Sequence, residues 1–374
     1  MSERAITELF AGAGEVEALI ERRAAEPADL DADVALTVAR YHPRRIELTV
    51  AEAIDETATA KTFRLRRPDG AELPPFLAGQ YINLFVTVDG VATSRPMAIS
   101  SSPARRDAYD VTVRRVPGGR VSNHLIDELA PGDRLSSTGP MGTFHHNPLF
   151  HGDEVVFLAG GSGVAPAMSM VREIRDGGGA RHLHLIYGSQ HADDVIFADE
   201  LAAIAAADGR IRVDHVIGGL IDAATIADLA GPLADRMVYV CGPQAMYPYA
   251  LDQLERLGHR RRRVRFEANG APARPQEQPR WPAGIDPDAE VTVSVAGGPS
   301  FRSPRNRPLL DALEDHGVQP EVACRSGECS LCRVRIVSGE VFSADEARLR
   351  RSDAAFGWVH CCVAYPLTDV ELAV

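Results

Sequence analysis

Residues 324–332 read Cys-Arg-Ser-Gly-Glu-Cys-Ser-Leu-Cys. They gather three of the chain's six cysteines, Cys324, Cys329 and Cys332, and the pair Cys361-Cys362 follows them. A disulfide scaffold would spread its cysteines through a short secreted chain. Clustering in one segment instead indicates metal or redox chemistry and predicts a reducing compartment, the cytoplasm.

The spacing of the first three cysteines is C-x4-C-x2-C, with a distant fourth, which is the ligand pattern of a [2Fe–2S] site. Three thiolates must converge from one loop, and small residues such as Ser326, Gly327 and Ser330 let that loop fold back. A zinc site would more often show two separated C-x2-C pairs. The spacing therefore favours iron–sulfur over zinc or purely structural thiols. The fourth ligand is Cys361 or Cys362, since neighbours on an extended segment point to opposite faces.

Length and composition describe an ordinary globular protein. The 374 residues suggest two or three domains, and 45% are hydrophobic and 25% charged. The net charge of -12 makes nucleic acid an unlikely partner. The acidic N-terminus has no apolar core, so no secretory signal is expected. The longest uncharged stretch, residues 155–171, is short for a bilayer and broken by glycines, so no membrane insertion is expected either.

Changes in composition and in the pattern of apolar and polar residues along the sequence predict a multidomain chain. Residues 1–42 form a helical extension, in which Glu15 to Ala25 are rich in helix formers. Residues 43–150 alternate apolar and polar residues between Gly and Pro turns, which predicts an antiparallel β-barrel. Residues 151–268 alternate apolar strands with helices, which predicts an α/β domain with a parallel sheet. A Pro-rich linker at 269–287 leads to a cysteine-bearing domain at 288–374.

Three glycine-containing turns follow apolar strands in the α/β region. They are Ala159-Gly-Gly-Ser-Gly163, Tyr187-Gly-Ser189 and Cys241-Gly-Pro-Gln-Ala-Met246. Turns of this kind let a dinucleotide pyrophosphate approach the backbone at a helix N-terminus, and strand ends on one sheet form a ligand crevice. The candidate NAD-binding residues are Gly160, Gly161, Ser162, Gly163, Pro166, Tyr187, Gly188, Ser189, Gly242, Pro243 and Met246.

Two segments of the barrel region, taken with the glycine turns and the cysteines, form motifs that resemble a known family. They are Arg95-Pro-Met-Ala-Ile-Ser100 and Val116-Pro-Gly-Gly119-Arg-Val-Ser122. With the glycine turns they resemble the ferredoxin–NADP reductase superfamily, and with the cysteines they resemble its members that carry a C-terminal plant-type [2Fe–2S] ferredoxin domain. The order of the three motif sets is similar to that of oxygenase reductase components of the phthalate dioxygenase reductase type. The resemblance implies an antiparallel flavin barrel, an α/β NAD domain and an α+β (β-grasp) ferredoxin domain.

The resemblance also implies roles for individual residues. Arg95 pairs with a flavin phosphate, and Cys241 lies beside the nicotinamide in the hydride-transfer pocket. Cys362 is the fourth cluster ligand, because it begins a Cys-x-x-x-Pro ending. Phe266 either lies against the isoalloxazine or is a core strand residue. The further flavin-binding candidates are Met97, Ala98, Ile99, Ser100, Gly119, Val121 and Ser122.

The chain departs from the family's flavin motif at two places, where Met97 replaces an aromatic residue and Ala98 a hydroxyl. FAD is the expected flavin, with FMN as the alternative. Residues 187–200 contain Asp193 and Asp194 and no Lys or Arg. Carboxylates repel the 2′-phosphate of NADP. NADH is therefore the expected donor, with Asp193 in its site.

The expected activity is an NADH-dependent reductase. Hydride passes to the flavin, and single electrons leave through the [2Fe–2S] cluster to an oxygenase or a cytochrome P450. The alternative is an electron-carrier module whose flavin site has decayed and which another protein reduces.

Overall fold

A computed structural model describes residues 18, 29–41, 43–177, 179–267 and 270–374. By its contacts the chain falls into two units, Met1–Pro43 and Arg44–Val374. In the first unit, helix α1 spans Asp29–Tyr41. The helix predicted over residues 15–25 lies, apart from Ala18, outside the described residues.

Six antiparallel strands form the flavin barrel, in the order β4-β3-β6-β1-β2-β5. Buried and exposed residues alternate at the start of β1, where Ile46, Leu48 and Val50 face the core. A bridge between Ile99 and Val111 joins the two edges, so the sheet curves into a partly closed barrel, as the sequence predicted. The elements are β1 Ile46–Thr57, β2 Ala60–Arg66, β3 Tyr81–Val88, β4 Val91–Ala98, β5 Tyr109–Arg114, α2 Arg120–Glu128 and β6 Arg134–Ser137.

Five parallel strands in the order β11-β10-β7-β8-β9 form the NAD domain, again as predicted. Apolar clusters cover both faces of this sheet, which explains its continuous hydrophobic strands. Because β7 lies in the middle, the strand order reverses beside it, and ligands of such sheets bind at that point. The elements are β7 Glu154–Gly160, α3 Val164–Arg175, β8 His182–Ser189, α4 Ala198–Ala207, β9 Ile211–Ile217, α5 Ala223–Ala230, β10 Met237–Cys241, α6 Met246–Arg256 and β11 Val264–Phe266.

The iron–sulfur domain is the predicted α+β unit, with a mixed sheet in the order β13-β12-β18-β14-β16 and a separate β15-β17 ladder. Its apolar core includes the buried Cys332, Cys361 and Cys362. The packing of this domain therefore fixes the positions of these three cysteines. The elements are β12 Glu290–Val295, β13 Ser300–Pro304, α7 Leu309–Asp315, β14 Arg333–Ser338, β15 Val341–Ser343, α8 Arg351–Ala355, β16 Trp358–His360, β17 Ala364–Pro366 and β18 Val370–Ala373.

The Pro-rich segment differs from the extended linker that its composition predicted. Trp281 and Ile285 pack against the core of the iron–sulfur domain, and the rings of Trp281 and Phe342 are 5.1 Å apart. The Tyr365 hydroxyl donates to the carbonyl of Pro272 at 2.6 Å. Residues 270–287 therefore add to the surface of that domain instead of spanning open solvent.

Among the described residues, no helix combines the length and apolar character that crossing a bilayer requires.

Candidate functional site

A cavity of about 750 Å³ collects predicted site residues from all three domains. Its wall includes Arg95 from β4, Cys241 from β10 and Cys362 from the iron–sulfur domain. The other predicted residues that line it are Met97, Ala98, Gly119, Val121, Ser122, Ser162 and Pro166. Segments more than 200 residues apart in sequence thus meet at one chamber.

One end of this cavity suits a phosphate group. The Arg95 guanidinium donates to Thr93 Oγ1 at 3.0 Å and to the carbonyl of Ser94 at 2.7 Å. Burial lowers the pKa of Arg95, and the positive charge of Arg325 lowers it further. A bound anion would offset both effects and stabilise the charged guanidinium. Helix α2 begins beside it after Gly119, and no side chain caps its first amides. A half-buried cation and an uncapped helix N-terminus together fit the phosphates of FAD.

Ile99 and Ser100, which the sequence predicts among the flavin-binding residues, do not line this cavity or a second, smaller one and lie within the barrel. The Ile99 side chain is fully buried in the barrel core. The Ser100 hydroxyl donates to the carbonyl of Asp110 at 3.1 Å, and both backbone amides bond within the barrel. Since the sheet curls at this point, the strand turns these residues inward directly after Ala98.

The NAD turn depends on close backbone contact between β7 and β10, where Ala159 near the end of β7 is paired with Cys241, the last residue of β10. A Cβ atom at Gly163 would lie 2.2 Å from the carbonyl oxygen of Cys241, so only glycine fits. Gly160 likewise lies against Pro243 and Met246. The two turns therefore form one surface, and α3 begins there with no side-chain cap, which fits a pyrophosphate.

Tyr187, Gly188 and Ser189 end β8 next to this surface. Tyr187 is fully buried, and its hydroxyl donates to the carbonyl of Gly161 at 3.1 Å and accepts from the amide of Ile196. Tyr187 therefore holds the glycine turn in place from behind.

The two aspartates after β8 have different surroundings, and one of them meets an arginine from another domain. Asp194 is buried, forms an ion pair with Arg114 of β5, and accepts hydrogen bonds from the hydroxyls of Thr57 (2.8 Å) and Thr59 (2.7 Å). It joins the NAD domain to the flavin barrel. Asp193 is exposed and is the carboxylate available to a nucleotide.

A second cavity of about 260 Å³ lies between the barrel, β11 and the cluster loop. Phe266 lines it together with Ala98, Cys324 and Cys329, and it also packs against one apolar cluster of the parallel sheet, so it borders both the site and the domain core. Arg261 lies over the Phe266 ring, with its Cζ 4.9 Å from the ring centroid. Glu267 lines the same cavity and was missed in the sequence; a carboxylate directly after an apolar strand was the available signal.

Glu267 predicts a measurable pH dependence of stability. Burial, with a smaller contribution from Glu328, raises the pKa of Glu267 to about 8, whereas an unfolded glutamate titrates near 4.3. The folded state therefore holds a proton that the unfolded state loses, and stability falls as pH rises between these two values and levels off above 8. The expected slope is about 1.4 kcal/mol per pH unit in this window.

Thermal unfolding of wild type and Glu267→Gln across pH 5 to 9 tests this assignment. The glutamine variant should lose the decline, and Glu255→Gln, at an exposed position on α6, should keep it. Identical profiles for wild type and Glu267→Gln would contradict a protonated Glu267.

The cysteines converge as a cluster site requires. The amides of Ser326, Glu328 and Cys329 donate to Cys324 Sγ at 3.4–3.5 Å. Hydrogen bonds from the Cys329 and Cys362 thiols, followed by these amides, lower the pKa of Cys324 and favour its thiolate. The loop needs Gly327, whose φ is +79° and where a Cβ atom would lie 2.7 Å from Val363. These features fit a [2Fe–2S] cluster.

Cys361 and Cys362 differ in which of the other thiols they contact. Cys362 Sγ is 3.2 Å from Cys332 Sγ and also bonds to Cys324. Cys361 bonds to Cys332 alone and is fully buried in the domain core. The arrangement supports the prediction of Cys362 as the fourth ligand.

Three family models match the chain in succession. They are an oxidoreductase FAD-binding domain at residues 46–146, an oxidoreductase NAD-binding domain at 157–252, and a 2Fe-2S iron-sulfur cluster binding domain at 296–367.

Relatives match this chain over most of its length. The ferredoxin reductase component of 3-ketosteroid-9-alpha-monooxygenase from Mycolicibacterium smegmatis is 32% identical over 343 residues, which cover 87% of this chain and 95% of the relative. The glycine betaine monooxygenase reductase subunit of Pseudomonas aeruginosa is 29% identical, with 86% and 93% covered. The solved structure of phthalate dioxygenase reductase matches with a TM-score of 0.68 and 27% identity, covering 88% of this chain and 98% of that one.

Proposed function

The chain belongs to the family of oxygenase reductase components that join an FAD-binding, an NAD-binding and a 2Fe-2S domain, and from this premise we propose that it supplies electrons from NADH to an oxygenase or a cytochrome P450. Its cofactors are FAD, NADH and a [2Fe–2S] cluster. The observation that carries the proposal is the single cavity bordered by Arg95, Cys241 and Cys362. Relatives named as monooxygenase reductase components support the oxygenase partner.

The cofactors supply the electron chemistry: nicotinamide gives a hydride, FAD accepts it and can release electrons singly, and the cluster carries one at a time. The protein positions them. Arg95 and the start of α2 would hold the flavin phosphates, and the turns at Gly163 and Cys241 would hold the nucleotide. Cys324, Cys329, Cys332 and Cys362 would bind the cluster, and of these Cys362 lines the larger cavity while Cys324 and Cys329 line the smaller one.

The alternative electron carrier with a decayed flavin site has less support. Met97 packs against the barrel core, and Ala98 lines both cavities without filling either. A lost site would be expected to fill with side chains, since protein interiors are close-packed. The open cavity with its half-buried Arg95 therefore favours a working flavin site.

The visible spectrum of the purified protein under anaerobic conditions tests the function. Flavin and cluster bands should both bleach when NADH is added. A cluster that is reduced only after a separate reductase is supplied would support the carrier instead. We also propose a cytoplasmic location, since a reducing compartment preserves the thiolate ligands.

A preference for NADH over NADPH is expected from Asp193, which is exposed after β8. Two unit charges 4 Å apart in water repel by about 1 kcal/mol, which is about fivefold in kcat/KM. Asp193→Ala should narrow the ratio of kcat/KM for the two donors by this amount. Asp199→Ala, at an exposed carboxylate on α4, should leave it unchanged. Equal or higher values with NADPH for the wild type would reject the assignment.

A further inference from the structure

Thr93 links the flavin strand to the iron–sulfur domain through one hydroxyl. It lies on β4 and is 7% exposed. Its Oγ1 donates to Glu314 Oε2 at 2.8 Å and accepts from Arg325 Nη2 and Arg95 Nη1, both at 3.0 Å. A hydroxyl has one proton and two lone pairs, so its full hydrogen-bonding capacity is used here.

The partners of Thr93 in the iron–sulfur domain are charged and buried. Arg325 directly follows Cys324 in the cluster loop, forms an ion pair with Glu314 on α7, and donates to Asp311 Oδ1 at 2.9 Å. The side chains of Arg325 and Glu314 are 5% and 7% exposed. Such a pair depends on good hydrogen bonds to its remaining donors and acceptors. Thr93 supplies one to each partner, at Arg325 Nη2 and Glu314 Oε2, whereas Arg325 Nε has no partner in the described part of the chain. The Thr93 hydroxyl is therefore part of the charge cluster that holds the loop of Cys324.

Two further contacts between the domains do not involve the buried ion pair of Arg325 and Glu314. Arg120, at the start of α2, donates to Asp315 at 2.9 Å, and Asn83 Nδ2 donates to the carbonyl of Val322 at 3.2 Å. These contacts should keep the domain attached without Thr93. The loss of Thr93 would then change the placement of the ligand loop while the domain stays docked.

We propose that Thr93 is a positioning residue that fixes the loop of Cys324 against the flavin strand and thereby sets the rate of electron transfer from flavin to cluster. The inference rests on the proposed function. In each transfer the reduced flavin is oxidised by one electron and the cluster is reduced by one, so no further reactant is required. The acceptor protein then reoxidises the cluster.

Thr93→Val keeps the shape of the side chain and removes the hydroxyl. Stopped-flow absorbance should show NADH-driven reduction of the cluster slowed about tenfold, which corresponds to about 1.4 kcal/mol. Hydrogen–deuterium exchange should be faster in α7, residues 309–315, even before NADH is added. Ferricyanide reduction and the EPR spectrum of the reduced cluster should stay as in wild type. Thr93→Ser, which restores the hydroxyl, should restore both the rate and the exchange.

Thr62→Val is the matched control, because Thr62 is buried in the same barrel and its hydroxyl bonds to Thr112, away from the iron–sulfur domain. It should alter neither readout. Unchanged cluster reduction and exchange in Thr93→Val would overturn the proposal, and so would an equal slowing of ferricyanide reduction, which would place the effect at Arg95. Should Thr93→Val not fold, Glu314→Gln replaces it with the same expected result. A wild-type cluster that NADH never reduces would disprove the proposed function, and the exchange data would still decide the role of Thr93.

Discussion

We expect Cys362→Ser to lose the [2Fe–2S] cluster and nearly all electron transfer to a protein acceptor. The Cys362 thiol reaches both Cys324 and Cys332, so no other thiol in the described part of the chain takes its place in the same geometry. A serine hydroxyl is a poor substitute, because soft thiolates are the ligands that iron–sulfur clusters select. Visible and EPR spectra and the iron content of the purified variant measure the loss.

Cys361→Ser is the matched control, since it makes the same substitution one residue away. Its spectrum should remain close to that of the wild type. The variant should be less stable, because it buries a hydroxyl in an apolar core where the thiol was fully buried. If Cys361→Ser loses the cluster and Cys362→Ser keeps it, the fourth ligand is Cys361.

A chain that ends after Ala273 should keep NADH oxidation with ferricyanide and lose nearly all transfer to cytochrome c or the natural acceptor. The barrel and the NAD domain have apolar cores separate from that of the iron–sulfur domain, so they should fold without it. The composition of residues 269–287 places such a cut near Asp286. The structure moves it to Ala273, because a chain cut near Asp286 would expose Trp281 and Ile285.

The full-length Cys324→Ser variant separates loss of the cluster from loss of the domain, and it should show the same split between ferricyanide and cytochrome c. Full transfer to a protein acceptor by the shortened chain would mean that the cluster is not the exit. A shortened chain that is folded by circular dichroism but binds no flavin would support a decayed flavin site and the carrier alternative.

The parts of the site that lie within short motifs could be predicted from sequence. The glycine turn at 160–163 and the cysteine spacing at 324–332 each carry a local physical requirement, and the structure brings both to one chamber. Residues whose role depends on another domain could not be found this way. Asp194 is bound by Arg114, 80 residues away, and Thr93 by Arg325, 232 residues away, and no local pattern records such pairs.

The pattern of apolar and polar residues in a strand also does not show which way the sheet curves. Ile99 and Ser100 continue the motif of Arg95 in sequence, yet the closing bridge to Val111 turns them into the barrel. Composition was misleading for residues 270–287, since proline content predicts stiffness and says nothing about what the segment packs against.

The polar character of the contact between barrel and iron–sulfur domain matters during synthesis on the ribosome. Domains are completed from the N-terminal side, and apolar surfaces that wait for a later partner are prone to aggregate. The barrel side of this contact includes Asn83, Thr93 and Arg120, and water can satisfy all three until residues 314–325 emerge. A nascent chain whose first domains are folded therefore does not expose an aggregation-prone surface at these residues before the last domain is synthesised.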